Sequence, residues 1–190
     1  ESVLEIQRSI GSDICMILDE CPPFPCERSY AEKSLALTQR WAERARDWIT
    51  AHRPPGQRYF GIVQGSCYPE LREKAARDLV ALDFDGYAIG GLSVGEPVPE
   101  MLKAVDVAAP LLPADKPRYA MGLGQPDQLL ELISRGIDMF DCVLPTRVGR
   151  NGTAYTPDGT INLKNARWEK CRLPLAPPGE THPLCEGFSL

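Results

Sequence analysis

The chain has 190 residues, 43% of them hydrophobic, and a formal net charge of −5, enough for one well-buried domain. It holds no run of 18 or more apolar residues, which argues against a membrane-crossing helix, and no signal peptide is visible. Its seven cysteines are scattered without a C-x-x-C pair, so they read as reduced thiols of a cytoplasmic protein rather than a disulfide framework.

The opening stretch, ESVLEIQRSIGSD, lacks an initiating Met and reads as the middle of a helix, as expected of part of a longer chain. Ile14–Leu18 predicts a first strand. Tyr30 to His52 predicts a long helix whose apolar face carries Leu35, Leu37, Trp41, Ala45, Trp48 and Ile49. Pro54, Pro55 and Gly56 stop it. Tyr59–Val63 predicts a second strand and Pro69–Leu82 a helix, with Pro69 suited to the first turn. Tyr87–Ile89, Arg118–Met121 and Ile137–Phe140 predict further strands. Pro99–Ala109 and Pro126–Ser134 predict the helices between them, the second closed by Gly136. Strand and helix alternate, which implies a parallel α/β sheet with crossover helices. A doubly wound sheet and a (β/α)8 barrel both fit, although no G-x-G-x-x-G follows the first strand. Ala154 to Asn162 then predicts a hairpin around a Pro157-Asp158-Gly159 turn. The end, LPLAPPGETHPLCEGFSL, is Pro-rich and aperiodic. The expected organisation is a catalytic domain over 1–172, with a hairpin near 153–163, and an irregular tail over 173–190.

Each predicted strand stops on polar residues or glycine: Asp19, Glu20 and Cys21; Gln64 and Gly65; Gly90 and Gly91; Gly122 and Gly124; Asp141 and Cys142. Parallel α/β folds build their sites at these carboxyl ends. Helix capping explains neither Asp19, which Pro22 and Pro23 follow, nor Asp141, whose successors Cys-Val-Leu-Pro do not read as a helix start. At the end of a buried strand Asp141 would be costly to desolvate, so it calls for a purpose. Residues 147–172 add six basic residues against two acidic ones, a +4 stretch in an acidic chain that could meet phosphates. Paired acids suggest glycosyl chemistry, with one carboxylate attacking an anomeric carbon. Glycine N–H groups could read a heterocycle's carbonyl and arginines could hold phosphates. This much leaves a sugar hydrolase and a base exchanger equally open.

Six blocks are more specific: LDEC (18–21), GIVQGS (61–66), DFDGYAIGGLSVGE (83–96), YAMGLGQP (119–126), GIDMFDCVLPTR (136–147) and RNGTAYT (150–156). In content and order they resemble the bacterial tRNA-guanine transglycosylases. The resemblance implies an incomplete (β/α)8 TIM barrel lacking its N-terminal strands and its C-terminal zinc-binding and helical part. It implies exchange of the wobble guanine of a G-U-N anticodon for the 7-deazaguanine preQ1, in queuosine biosynthesis, through a covalent Asp–ribose intermediate. Asp141 would be the nucleophile. Asp19 would accept from the base's ring N–H and amino group, and Gln64 with the Gly91 N–H would read its carbonyl. The Leu92 carbonyl, backed by Glu96, would meet the aminomethyl group, and Tyr119 and Met121 would line the base. Arg147 and Arg150, on the loop leaving the last strand, would contact tRNA. Val94 matches the bacterial preference for preQ1, where members using queuine have glycine.

Two departures from the family pattern stand out. The S-G-G-F-Q type motif bearing the proposed general acid/base is absent. The family's structural zinc uses Cys-x-Cys-x-x-Cys and a later His, which Cys171, His182 and Cys185 do not match, so no metal ligand is assigned. A homodimer is expected of the full-length enzyme, and no turnover of residues 1–190 alone. The alternative is an inactive fragment or a non-catalytic RNA-binding or partner subunit, which should have lost Asp19, Gln64 and Asp141.

Overall fold

The computed structural model describes residues 2–156 and 159–169, in two compact units that divide after Cys142. The first unit alternates helix and strand: α1 (Ser2–Ile10), β1 (Ile14–Met16), α2 (Arg28–His52), β2 (Arg58–Val63), α3 (Pro69–Ala81), β3 (Gly86–Ile89), α4 (Val98–Ala108), β4 (Arg118–Ala120), α5 (Pro126–Ser134) and β5 (Met139–Phe140).

The five strands are parallel and lie in the order β1-β2-β3-β4-β5. The order never reverses, so the sheet has no topological switch point and is not doubly wound. The helices follow the same progression, α2 packing on α3, α3 on α4 and α4 on α5. Right-handed crossovers that always step one way lay successive helices side by side along the sheet.

Periodicity explains the layers. The buried residues of α2 include Leu35, Thr38, Ala42, Ala45, Trp48 and Ile49, at helical spacing. Leu71, Ala75, Ala76 and Leu79 make the corresponding stripe of α3, and Met101, Ala104, Val105 and Ala108 that of α4. Strand β3 is buried throughout and β2 from Tyr59 to Val63, as continuous apolar runs in parallel sheets require. Below the sheet, both Asp85 oxygens accept from Arg53 Nη2 at 2.9 Å and Oδ2 also accepts from the Tyr59 N–H at 2.8 Å. This ties the starts of β2 and β3 to the end of α2.

Strands β1, β4 and β5 are shorter than their apolar runs predict. The second unit holds α6 (Leu144–Arg150) and an antiparallel hairpin of β6 (Thr153–Thr156) and β7 (Gly159–Asn162). Arg147 and Arg150 therefore lie on a short helix, not on a loop. Pro145 occupies its first turn, where a missing N–H costs nothing, and no side chain caps it. The turn residues 157 and 158 and the tail expected over 173–190 lie outside the described residues. No helix among those described is long and apolar enough to cross a membrane.

Gly86 marks the tightest approach inside the sheet: a Cβ there would lie 2.4 Å from the Phe60 ring. Gly86→Ala should therefore overpack the core and cost about 1–3 kcal/mol. Urea denaturation measures this, and unchanged stability would contradict the close approach.

Candidate active site

The carboxyl ends of all five strands bring the polar residues out on one edge of the sheet: Asp19 after β1, Gln64 after β2, Gly90 and Gly91 after β3, Met121 and Gly122 after β4, and Asp141 after β5.

The Asp19 loop is anchored from α2. The Glu20 N–H donates to Thr38 Oγ1 (2.9 Å), Ser34 Oγ donates to the Glu20 carbonyl (3.2 Å) and Tyr30 OH donates to Glu20 Oε1 (2.7 Å). Asp19 is half-buried, and its Oδ2 accepts from Gln64 Nε2 at 2.6 Å. Gln64 is itself buried, and among the described residues its Oε1 has no partner. A buried amide oxygen without a donor is costly. Burial first, and then the Asp19 charge, push the neighbouring Cys21 thiol up and keep it protonated.

Beside Gln64 the chain turns through Gly90 and Gly91. Gly91 has φ +64°, and a Cβ on it would lie 2.3 Å from Gln64 Oε1. Any side chain here would both strain the backbone and strike the amide. Leu92 is buried and Val94 exposed. Glu96 closes the turn by accepting from the N–H groups of Ser93 and Val94.

Asp141 is exposed rather than buried at its strand end, because β5 is an edge strand among the described residues. Tyr119 OH donates to its Oδ1 at 2.5 Å and the Gly122 N–H donates to the same oxygen at 2.8 Å. Among the described residues Oδ2 accepts no hydrogen bond. One oxygen is thus held and the other left open, an arrangement suited to in-line attack on an electrophilic carbon. Burial, and then the bond to Asp141, push the Tyr119 phenol up to about 12. Met121 is half-buried on the same strand end.

The first unit therefore carries Asp19, Gln64, Gly91, Leu92, Val94, Glu96, Tyr119, Met121 and Asp141 on the strand ends and their loops. Arg147 and Arg150 belong to the second unit, where both are exposed on α6 without an ion-pair partner among the described residues. No three His, Cys, Asp or Glu side chains gather as a metal site among the described residues, and Cys171, His182 and Cys185 lie outside them. The zinc ligand set that the resemblance implies is therefore not found among the described residues.

A family model described as Queuine tRNA-ribosyltransferase matches residues 1–189. The chain belongs to that family. The Queuine tRNA-ribosyltransferase of Bacillus pumilus is 56% identical over 171 residues, covering 90% of this chain and 44% of the relative. That of Bacillus velezensis is 52% identical over 190 residues, covering 100% of this chain and 49% of the relative. That of Pelotomaculum thermopropionicum is 55% identical over 189 residues, covering 100% and 50%. The chain spans about half the length of the curated relatives it matches.

Sequence reasoning missed two features of the site. Tyr119, expected only to line a base, also holds Asp141. Arg72 was not singled out in the sequence, yet it is fully buried and donates to the carbonyls of Gly90 and Gly91. A signal existed, because Arg72 falls on the buried stripe of α3 with Ala75, Ala76 and Leu79.

The raised Tyr119 value has a consequence for stability. Its folded value lies above the ordinary 10, so its contribution is complete below about pH 10 and is lost as pH rises towards 12. Tyr119→Phe should show a smaller fall in stability between pH 10 and 12 than the parent, by urea denaturation. An equal fall would contradict the raised Tyr119 value.

Proposed function

We propose that this chain carries the base-exchange centre of a tRNA-guanine transglycosylase that replaces a wobble guanine in tRNA with preQ1. The observation that carries the reading is the open Oδ2 of Asp141, on the same sheet edge as the base-reading set of Asp19, Gln64 and the Gly91 N–H.

Asp141 Oδ2 attacks ribose C1′ while the bond from C1′ to guanine N9 breaks, and its electron pair leaves with the base. A covalent ester between Asp141 and the ribose results, and the departed base takes a proton. The ring nitrogen of the incoming 7-deazaguanine, having lost its proton, then attacks C1′ and releases the carboxylate. Two displacements at one carbon retain its configuration. Tyr119 OH and the Gly122 N–H orient the carboxylate and spread its charge onto the held oxygen.

Asp19 accepts from the base's ring N–H and amino group, which requires the Gln64 amide to yield part of its present bond. Gln64 and the Gly91 N–H donate to the base carbonyl. The Leu92 carbonyl, with Glu96 behind it, receives the aminomethyl group of preQ1. Arg147 and Arg150 contact the RNA as point charges and forks for phosphate. In this reading the sheet is a sector of a (β/α)8 barrel, and the full-length enzyme is cytoplasmic, dimeric and zinc-stabilised. Retention of Asp19, Gln64 and Asp141 favours catalysis over a partner-only role.

The test is exchange of labelled guanine into tRNA by a chain of the relatives' full length that carries residues 1–190. Asp141→Asn should lower the rate below about a thousandth of the parent. Exchange that survives the substitution would remove Asp141 as nucleophile. Residues 1–190 alone should show no turnover, because they lack the acid motif; robust exchange by them would show that motif dispensable. For selectivity, the full-length parent should take preQ1 over queuine, and Val94→Gly should admit queuine. A parent that prefers queuine would sink the role given to Val94.

A further inference from the structure

Arg72 is the one charged side chain among the described residues that is fully buried, at 0% exposure. It has no carboxylate partner within ion-pair distance among them. All its hydrogen bonds go to backbone carbonyls. Nε donates to Ser66 O at 2.6 Å, Nη1 to Val63 O at 3.0 Å and to Gly90 O at 2.6 Å, and Nη2 to Gly91 O at 3.1 Å. Burial lowers its pKa to about 10, so the guanidinium stays charged at neutral pH. A buried cation is costly to desolvate, and apolar packing alone would favour a neutral residue here.

The geometry shows what the charge adds. In a trans peptide the C=O and N–H point in opposite directions. With the Gly90 carbonyl turned onto Arg72, the Gly91 N–H must face away from it. With the Gly91 carbonyl turned the same way, so must the Leu92 N–H. The hydrogen bonds among the described residues give neither N–H an acceptor. Two successive free N–H groups in a turn form a concavity suited to an electron-rich oxygen. A cation on the carbonyl side of the same peptides also polarises them and strengthens the N–H donors.

We propose that Arg72 is a positioning residue, which aims the Gly91 and Leu92 N–H groups at the carbonyl oxygen of the base and strengthens them as the base departs. This rests on the transglycosylase reading above. As the bond from C1′ to N9 breaks and that from Asp141 Oδ2 to C1′ forms, the electron pair left on N9 delocalises onto the base carbonyl oxygen. The polarised N–H groups meet that charge until the base takes its proton from the general acid/base expected of the full-length chain. Donors placed where charge develops lower the barrier more than they tighten ground-state binding.

The test uses a chain of full length carrying residues 1–190, with Arg72→Lys and Arg72→Gln. Lysine keeps the charge with fewer directed donors, and glutamine keeps some donors without the charge. Exchange is followed with guanine and with 6-thioguanine, whose sulfur is a weak acceptor but which keeps the ring N–H and amino group. The expected result is a fall in kcat on the order of a hundredfold for guanine in Arg72→Gln, less in Arg72→Lys. KM for tRNA should stay within about twofold, and the preference for guanine over 6-thioguanine should shrink about tenfold. Equal losses for both bases would overturn the proposal, because damage to the fold alone would weaken both alike. A measurement on the unsubstituted enzyme is independent of how the variants fold. Saturating guanine should move the Gly91 and Leu92 amide proton resonances downfield, and 6-thioguanine should move them less. Resonances unmoved by guanine would overturn the aim of these N–H groups. A parent that exchanges neither base would instead overturn the transglycosylase reading itself.

Discussion

Everything at the candidate site depends on five strands running the same way and lying in the order of the chain. Parallel strands deliver all their carboxyl ends to one edge, and sequential winding places Asp19, Gln64, Gly91, Tyr119 and Asp141 on neighbouring strand ends. Those residues are spread over more than half of the chain, and no local motif could gather them. The buried faces of α2, α3 and α4 hold the strands in place. The apolar core therefore fixes the geometry of a polar edge that contributes little to stability itself.

On that edge the charged groups are steadied largely by the main chain. Asp141 takes the Gly122 N–H along with the Tyr119 hydroxyl. Glu96 takes two N–H groups of its own turn. Arg72 faces four carbonyls. Main-chain partners carry no counter-charge, so these carboxylates and the guanidinium do not neutralise one another. This leaves Oδ2 of Asp141 open. It also explains why glycine recurs on these loops: at Gly91 even one added carbon would strike Gln64.

Much of the fold was legible because apolar periodicity dictates it. The helical stripes, the buried runs of β2 and β3 and the punctuation by proline and glycine located the five strands and the α-helices between them. Choosing between a doubly wound sheet and a barrel sector needed the strand order, which spacing does not encode. The extent of β1 and β5 was overread because an apolar run continues past the last paired residue. Asp141 was legible as a candidate acid at a strand end, but not its exposure, which follows from the edge position of β5. The helix at Leu144–Arg150 escaped notice because it is short and buries no apolar stripe. Arg72 escaped because a guanidinium that binds carbonyls needs no acidic partner in the sequence, and its place on a buried stripe was the only clue.

The central claim is that Asp141 forms a bond to the ribose. A chain of full length carrying residues 1–190, mixed with tRNA and quenched in denaturant, tests it most directly. A protein–RNA adduct that survives a denaturing gel, maps to the peptide containing Asp141 and is absent from Asp141→Asn is the predicted result. An adduct that persists in Asp141→Asn, or that maps to another residue, would contradict the account.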